Sequence, residues 1–278
     1  MSDPRQSPGY VDEKLLRILG QKIEPIKKRS YELLRVKPGE LVLDAGCGPG
    51  LDTTTLANQL GKEVRIIGVD YDPEMIAAAN KRATSLGLGN QVEHRVGDIT
   101  ALEFADSTFD AVRCDRVLQH VSRGEIAIHE LVRVAKPGGR LVLFDPDWST
   151  FSTDFPNRDL EWRIRRVATE WFANGYAARQ SWRILIQCGV DQVRAEPLSV
   201  VFSYPEMRYL LLMDKVEQAA LQAGVITTKE LEYWRTMNEE ADKTGTFLST
   251  VTGILVSGTK RALQPGEGSD GKQKGSKA

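Results

Sequence analysis

The chain has 278 residues, 41% of them hydrophobic and 27% charged, which is enough apolar material to bury one large core. Its 37 basic and 38 acidic residues give a net charge of −1, which argues against nucleic acid or an anionic lipid surface as partner. Three dispersed cysteines, no signal-peptide pattern and no apolar run of ~20 residues argue against a disulfide framework, secretion and a membrane span, and predict a cytoplasmic protein.

The first predicted element is a helix, and strands alternate with helices after it. Apolar spacing from Lys14 to Leu34 predicts the helix, which belongs to an N-terminal cap covering residues 1–35. The following elements are predicted as a strand at Leu41–Ala45, a helix at Leu51–Leu60, a strand at Val64–Val69, a helix at Pro73–Leu86, strands at Val92–Val96 and Phe109–Cys114, a helix at Glu125–Ala135 and a strand at Arg140–Phe144. Continuous apolar strands that alternate with helices indicate an α/β fold with a mostly parallel sheet covered on both faces.

The regular alternation of predicted strands and helices ends after Asp145. The remaining elements are predicted as a helical segment before Gly175, a helix at Ala178–Cys188, a strand at Gln192–Phe202, two helices between Tyr204 and Glu240 and a closing strand at Thr252–Thr259. We therefore predict one domain over 36–262 with helical lid insertions at about 147–176 and 204–249. The Gly-, Ser- and Lys-rich residues 263–278 are predicted to form a disordered tail.

A glycine-rich turn, "LVLDAGCGPG", follows the first predicted strand. Such a turn lets the backbone approach a ligand closely, because no Cβ intervenes. A P-loop would require Gly-Lys-Ser/Thr, but Gly50 is followed by Leu51, Asp52 and Thr53, which argues against a triphosphate. The dinucleotide pattern G-x-G-x-x-G would require its third glycine where Leu51 stands, which argues against an NAD-dependent oxidoreductase.

Carboxylates near the ends of three predicted strands favour a different ligand. Asp44, before the glycine turn, would repel a pyrophosphate and suits a cation. Asp70 ends the second strand, where a carboxylate accepts hydrogen bonds from ribose hydroxyls. Asp98, after the third strand, can accept from the exocyclic amine of adenine. S-adenosylmethionine (SAM) combines adenosine with positive charge and carries no phosphate.

Five stretches carry a resemblance to a known family. In chain order, between about Val36 and Trp148, they are "VLDAGCGPG", "GVDYDPEM", "VGDIT", "FDAVRCDRVLQHV" and "ELVRVAKPGGRLVLFDPDW". The chain resembles class I SAM-dependent methyltransferases, in particular the small-molecule branch similar to the ubiquinone/menaquinone-biosynthesis enzymes (methyltransferase type 11). The resemblance implies a Rossmann-like, seven-stranded, mostly parallel sheet flanked by helices, with one antiparallel strand near Val256. It also implies methyl transfer from SAM, leaving S-adenosylhomocysteine.

The resemblance implies where the methionine end of SAM would bind. Asp44, Gly46 and Gly48 would hold it, and the segment Asp115-Arg116 would pass beside it. More loosely, Arg29 would pair with the SAM carboxylate and Tyr10 would close over the cofactor.

The resemblance places the adenosine end of SAM on the next two strands. Asp70 would bind the ribose, with Tyr71 and Met75 lining the adenine pocket. Asp98 and Ile99 would hold the adenine. No metal site is expected.

Two residues are candidates for chemistry on the acceptor. His120 follows the fourth strand, where it would act as a general base or hold its loop by a hydrogen bond. Asp147 follows the fifth strand and would act as a base, bind an acceptor hydroxyl or amine, or form a cap or loop hydrogen bond. Aromatic residues are concentrated from Phe144 to Trp182 and predict a lid over an apolar or aromatic acceptor.

The sequence predicts a small-molecule acceptor, quinone-like, aromatic or a secondary metabolite, and leaves homodimer formation open. The residues "DRVL" after the fourth strand lack the N-P-P-Y type motif of enzymes that methylate amino groups of proteins or nucleic acids. A non-catalytic SAM-binding module stays open as an alternative function, because binding and turnover are separate properties.

Overall fold

The computed structural model describes residues 13–262, so Tyr10 and the predicted tail lie outside the described residues. The strands are β1 (Leu41–Ala45), β2 (Arg65–Asp70), β3 (Val92–Val96), β4 (Phe109–Asp115), β5 (Ala135–Thr153), β6 (Val190–Phe202) and β7 (Ser249–Lys260). The helices are α1 (Glu13–Lys22), α2 (Glu24–Leu34), α3 (Leu51–Leu60), α4 (Pro73–Ser85), α5 (Gly124–Val134), α6 (Arg158–Glu170), α7 (Ala177–Gln187), α8 (Tyr204–Leu210), α9 (Met213–Gln222) and α10 (Thr228–Lys243). Every strand predicted from the sequence is present.

The seven strands form one sheet in the order β3-β2-β1-β4-β5-β7-β6. β1 to β5 pair in parallel, whereas β7 is antiparallel to both β5 and β6. The predicted Rossmann-like, mostly parallel sheet, with its antiparallel strand around Val256, is therefore confirmed. The strand order reverses between β1 and β4, and in open α/β sheets ligands bind at the carboxyl ends of the strands beside such a reversal.

Both faces of the sheet are covered, because successive side chains of a strand point to opposite sides. On β1, Leu43 packs in a cluster that includes Leu131 of α5 and Leu185 of α7. Its neighbour Val42 packs on the other face in a cluster with Leu34 of α2 and Leu56 of α3. This alternation explains why the strands read as continuous apolar runs in the sequence.

The N-terminal helix predicted at Lys14–Leu34 is broken into α1 and α2. Pro25 lies in the first turn of α2, where its missing N–H is tolerated, but proline disfavours an unbroken helix through this position. After the break at Ile23, α2 packs on β4, β5 and β7, whereas α1 contacts α8. Within residues 13–262, no helix combines the length and apolar composition needed to cross a bilayer.

The later elements are more extended than predicted. β5 continues to Thr153 rather than ending at Phe144, because it pairs with β7 as far as Ser249. Three helices rather than two follow β6, with a break at Leu212, whose φ is 54°. The predicted capping box is confirmed, since Glu230 N–H donates to Thr227 Oγ1 at 3.2 Å at the start of α10.

Candidate active site

The glycine turn between β1 and α3 presents backbone to a cleft at the carboxyl edge of the sheet. Gly46, Gly48 and Gly50 have φ values of 77°, 52° and 72°, in the left-handed region that favours glycine. The Gly46 and Cys47 N–H groups both donate to Val69 O, at 2.7 and 3.0 Å, which ties the turn to β2. Among residues 13–262, a Cβ at Gly48 would meet only Leu16 Cδ1 at 3.8 Å, so these residues leave the backbone there uncovered.

Asp70 lies at the end of β2 and connects the glycine turn to α4. Its Oδ2 accepts from Gly48 N–H at 2.8 Å and its Oδ1 accepts from Asp72 N–H at 3.0 Å. Each ionised carboxylate oxygen has two lone pairs, so both retain the capacity to accept from a ligand hydroxyl. Burial raises the pKa of Asp70 above its ordinary value. Asp72 caps α4 by accepting from Glu74 N–H at 2.8 Å.

These residues line a cleft of about 410 Å³, within the range of small-molecule sites. The predicted site residues that line it are Gly46, Gly48, Asp70, Tyr71, Met75, Asp98, Ile99, Asp115, Arg116 and His120. The structure thus brings together side chains from the ends of β2, β3 and β4 that the sequence placed far apart. Tyr71 and Met75 line the cleft from the segment that follows β2. Ile99, which is buried, lines it from the segment that follows β3.

Asp44, which was predicted to help hold the methionine end, does not line the cleft. The side chain is 1% exposed and lies behind the turn, where its Oδ1 accepts from Arg113 Nη1 at 2.9 Å. The buried Arg113 also donates to Asp115 Oδ2 at 2.5 Å and to Ser30 Oγ at 3.2 Å. Asp44 Oδ2 has no hydrogen-bond partner within the described part of the chain, and burial raises the pKa of Asp44 to about 6.

Arg29 does not face the cleft either. It pairs with Glu196 and Glu32 at 2.8 and 2.9 Å, on the far side of α2. Lys27 lines the cleft instead and pairs with Asp52 at 2.7 Å. Two helix positions differ by about 200° around the axis, so only one of the two cations can face the site. Lys27 was not predicted as a site residue, although it lies next to Ile26 and one helical turn before Ser30, both of which are buried.

A second, apolar cavity of about 90 Å³ adjoins the cleft. Leu16, Arg116 and His120 line both, so they form the boundary between them. The other residues of the apolar cavity come from α1 and the break after it, the turn after β4, β5, β6, β7 and the lid. They are Leu15, Leu19, Ile23, Gln119, Phe144, Pro146, Trp148, Phe172, Val200, Phe202, Leu210, Leu211, Leu212, Val251 and Gly253.

Asp147 does not line the apolar cavity, and of its predicted roles the structure shows the loop hydrogen bond, in which its Oδ1 accepts from Ser149 N–H at 3.2 Å. Phe144, Pro146 and Trp148 of β5 face the cavity. Asp147 alternates with them and points to the opposite side of the strand. There it is 2% exposed and accepts from Arg179 Nε at 2.6 Å.

Gln119 and Trp148 form a wall of the apolar cavity that the sequence did not reveal. The Trp148 indole N–H donates to Gln119 Oε1 at 2.7 Å, and the Trp148 ring stacks on Phe172 at 4.1 Å between centroids. His120 lies 5.8 Å from Phe172, ring centroid to centroid. Asp145 Oδ1 accepts from Gln119 N–H at 3.2 Å and supports the short turn that carries His120. These partners lie 26 to 29 residues apart, so no local pattern links them.

The side chains of the cleft fit the chemistry of SAM. Carboxylates at Asp70 and Asp98 supply acceptors for hydroxyl and amine groups, whereas Met75 and Ile99 supply apolar surface for a base. Because Gly48 has no side chain, a ligand can approach its backbone closely. Lys27 adds a cation, which is paired with Asp52 at 2.7 Å. The acceptors and the apolar surface together suit a nucleoside.

Comparison with known proteins identifies relatives of this chain. Residues 36–187 match the family model described as a methyltransferase domain. An uncharacterized 37.1 kDa protein in transposon TN4556 of Streptomyces fradiae is 35% identical over 213 residues, covering 74% of this chain and 61% of that protein. The ubiquinone/menaquinone biosynthesis C-methyltransferase UbiE of Hydrogenovibrio crunogenus is 33% identical over 119 residues, covering 43% of this chain and 47% of that protein.

The chain spans between 47% and 61% of the length of these curated relatives. A solved structure of similar fold is geranyl diphosphate C-methyltransferase from Streptomyces coelicolor, crystallised with Mg²⁺, geranyl diphosphate and S-adenosyl-L-homocysteine. Its TM-score is 0.54 at 16% identity, over 92% of this chain and 86% of that one. At this identity the likeness concerns the fold.

Proposed function

The chain belongs to the methyltransferase domain family of class I SAM-dependent proteins, and from this premise we propose that it transfers a methyl group from SAM to a small apolar or aromatic molecule. The observation that carries the proposal is the pair of adjoining cavities. One has the polar groups that an adenosine and an amino acid require, and the other is almost entirely apolar. Leu16, Arg116 and His120 border both, so the two substrates would meet at these residues.

In this proposal, the cleft residues hold SAM by its three chemical parts. Asp70 accepts hydrogen bonds from the ribose hydroxyls, and Asp98 and Ile99 hold the adenine. The backbone at Gly46 and Gly48 borders the methionine part, and Lys27 faces its carboxylate. When bound, SAM supplies a methyl group that its positively charged sulfonium has activated.

The protein's contribution is to position the acceptor and exclude water. Trp148, Phe172 and the leucines of α1 and α8 enclose the acceptor's apolar body. His120 receives the proton that a hydroxyl or activated carbon loses as the new bond to the methyl carbon forms, and the electron pair of the broken carbon–sulfur bond stays on sulfur. The described lid residues leave a cavity rather than filling it, which supports an acceptor site over a purely non-catalytic SAM-binding module.

Calorimetric titration with S-adenosylhomocysteine, with NAD as a control, tests the cofactor half of the proposal. We expect the unmodified protein to bind S-adenosylhomocysteine and not NAD. Asp70→Asn keeps the shape but removes the charge, and should weaken binding roughly 10- to 100-fold, since hydrogen bonds to charged groups are worth about 1.5–3 kcal/mol. A folded protein that binds NAD alone would contradict the proposal.

Mass-shift screening with aromatic hydroxylated acceptors tests the transfer half. His120→Gln should retain S-adenosylhomocysteine affinity and lower turnover roughly 10²- to 10⁴-fold, the usual contribution of a general base. An unchanged rate in this variant would remove His120 from the mechanism. Binding of S-adenosylhomocysteine without turnover of any acceptor would instead favour the non-catalytic alternative.

A further inference from the structure

Arg116 occupies an unusual backbone position at the boundary between the two cavities. It follows the last residue of β4, and its φ of 58° lies in the left-handed region that non-glycine residues seldom adopt. Its N–H donates to Phe144 O at 2.6 Å, and its carbonyl accepts from Gln119 Nε2 at 3.1 Å. Two backbone contacts thus hold this conformation, and left-handed backbone outside glycine is concentrated at functional sites.

The Arg116 guanidinium keeps most of its hydrogen-bonding capacity. Its Nε donates to Asp115 Oδ1 at 2.8 Å, while the other oxygen of Asp115 accepts from Arg113 at 2.5 Å. An arginine has five N–H donors, four of them on its two terminal nitrogens. Among residues 13–262, no hydrogen bond joins those terminal nitrogens to a protein acceptor. The side chain is 13% exposed, so the four donors are directed toward a largely enclosed space.

The apolar cavity supplies no carboxylate of its own, since Asp115, the carboxylate that pairs with Arg116, lines the cleft and not this cavity. Of the described residues that line it, only Arg116 carries a full charge, and none is an aspartate or a glutamate. A cationic acceptor would therefore be desolvated beside a positive charge, which is unfavourable. A carboxylate or phenolate oxygen would instead form charge-assisted, even bidentate, hydrogen bonds with the guanidinium.

We propose that Arg116 selects acceptors that carry an anionic oxygen, a carboxylate or a phenolate, on an apolar aromatic body. The oxygen binds the terminal guanidinium nitrogens at the boundary, and the aromatic body lies against Trp148 and Phe172. This inference rests on the proposed function, because it concerns the acceptor side of the same site. It makes Arg116 a determinant of acceptor specificity rather than a cofactor ligand.

The test is a set of calorimetric titrations with matched naphthalene probes. The probes are 2-naphthoate, which is anionic, 2-naphthalenemethanol, which is neutral, and 2-naphthylmethylammonium, which is cationic. Each is titrated with and without saturating S-adenosylhomocysteine, into the unmodified protein, Arg116→Met, Arg116→Lys and Arg166→Met. Arg166 is the matched control, because it is an exposed arginine on α6 that pairs with Glu170.

We expect 2-naphthoate to bind at least tenfold more tightly than the neutral probe, and the cation to bind most weakly, as a charge-assisted hydrogen bond predicts. Arg116→Met should abolish this preference, Arg116→Lys should keep part of it, and Arg166→Met should leave it intact. S-adenosylhomocysteine affinity should change less than threefold in the control variant Arg166→Met.

Three results would overturn the inference. They are equal affinity of the unmodified protein for the anionic and neutral probes, no binding of either, and an unchanged preference in Arg116→Met. A large loss of S-adenosylhomocysteine binding in Arg116→Met would also overturn it, because Arg116 would then serve the cofactor. Failure of the unmodified protein to bind S-adenosylhomocysteine counts against the proposed function alone, since the titrations without it still measure the anion preference.

Discussion

Gly46 is the position where the glycine turn tolerates a side chain least, and replacing it with alanine tests how tightly the turn is packed. Its φ of 77° lies in the left-handed region. A Cβ there would lie 2.1 Å from Val117 Cγ2 and 2.8 Å from Val117 Cγ1, far inside van der Waals contact. The turn cannot easily move away, because the Gly46 N–H donates to Val69 O at 2.7 Å.

The expected destabilisation has two parts. A left-handed backbone costs an alanine about 1–2 kcal/mol. Overpacking a closely packed site costs typically 1–3 kcal/mol. Gly46→Ala should therefore lower the free energy of unfolding by about 2–5 kcal/mol. Gly189→Ala is the matched control: its φ is 75° and no atom of the described residues lies within 4 Å of the new Cβ. It should cost only the backbone part, about 1–2 kcal/mol.

Urea unfolding of Gly46→Ala, Gly189→Ala, Val117→Ala and the Gly46→Ala/Val117→Ala double variant measures these parts. Val117→Ala removes both Cγ atoms that the new Cβ would meet, so the double variant should recover about 1 kcal/mol relative to additivity. Equal losses in Gly46→Ala and Gly189→Ala would refute the steric reasoning, and so would strictly additive effects in the cycle.

Two further predictions concern buried ionisable groups. Burial lowers the pKa of His94 from 6.5 to about 4, so its neutral ring stabilises the fold above pH 6.5, and this contribution is lost as the pH falls from 6.5 through 4. The free energy of unfolding, measured by urea titration at several pH values, should fall by roughly 2 kcal/mol less over this pH range in His94→Gln than in the unmodified protein. An equal fall in both proteins would contradict the lowered pKa of His94. Arg113→Met should lower the free energy of unfolding by about 3–5 kcal/mol, because it leaves Asp44 buried without its cation and removes one of the two cations that pair with Asp115. Adding Asp44→Asn should recover part of that loss, and a cost below about 1 kcal/mol for Arg113→Met would show that the network relaxes.

The parallel strands and the residues at their ends could be predicted, because each depends on a local pattern. A buried strand such as Leu41–Ala45 is a short apolar run, and a glycine turn after it is visible in the letters themselves. Asp70 and Asp98 were assigned from their places after strands, and both line the cleft. The carboxyl ends of parallel strands meet at one edge of the sheet, so position along the chain was sufficient for them.

Predictions that depended on orientation were less successful. Arg29 and Lys27 are equally basic and two residues apart, and only the packing of α2 on the sheet decides which faces the cleft. Asp147 was placed at the correct edge, but the register of β5 against β7 turns it away from the cavity. A shift of one residue exchanges the two faces of a strand.

The sequence by itself determined the order of strands and helices, the glycine turn and the acidic residues of the cleft, because hydrophobic periodicity and turn chemistry act over a few residues. Only the tertiary structure decided that Arg116 and His120 stand between two cavities, that Arg113 neutralises the carboxylates behind the turn, and that Gln119 supports Trp148. Those contacts join segments that are distant in the chain. They form only when the sheet, α1 and the lid pack together.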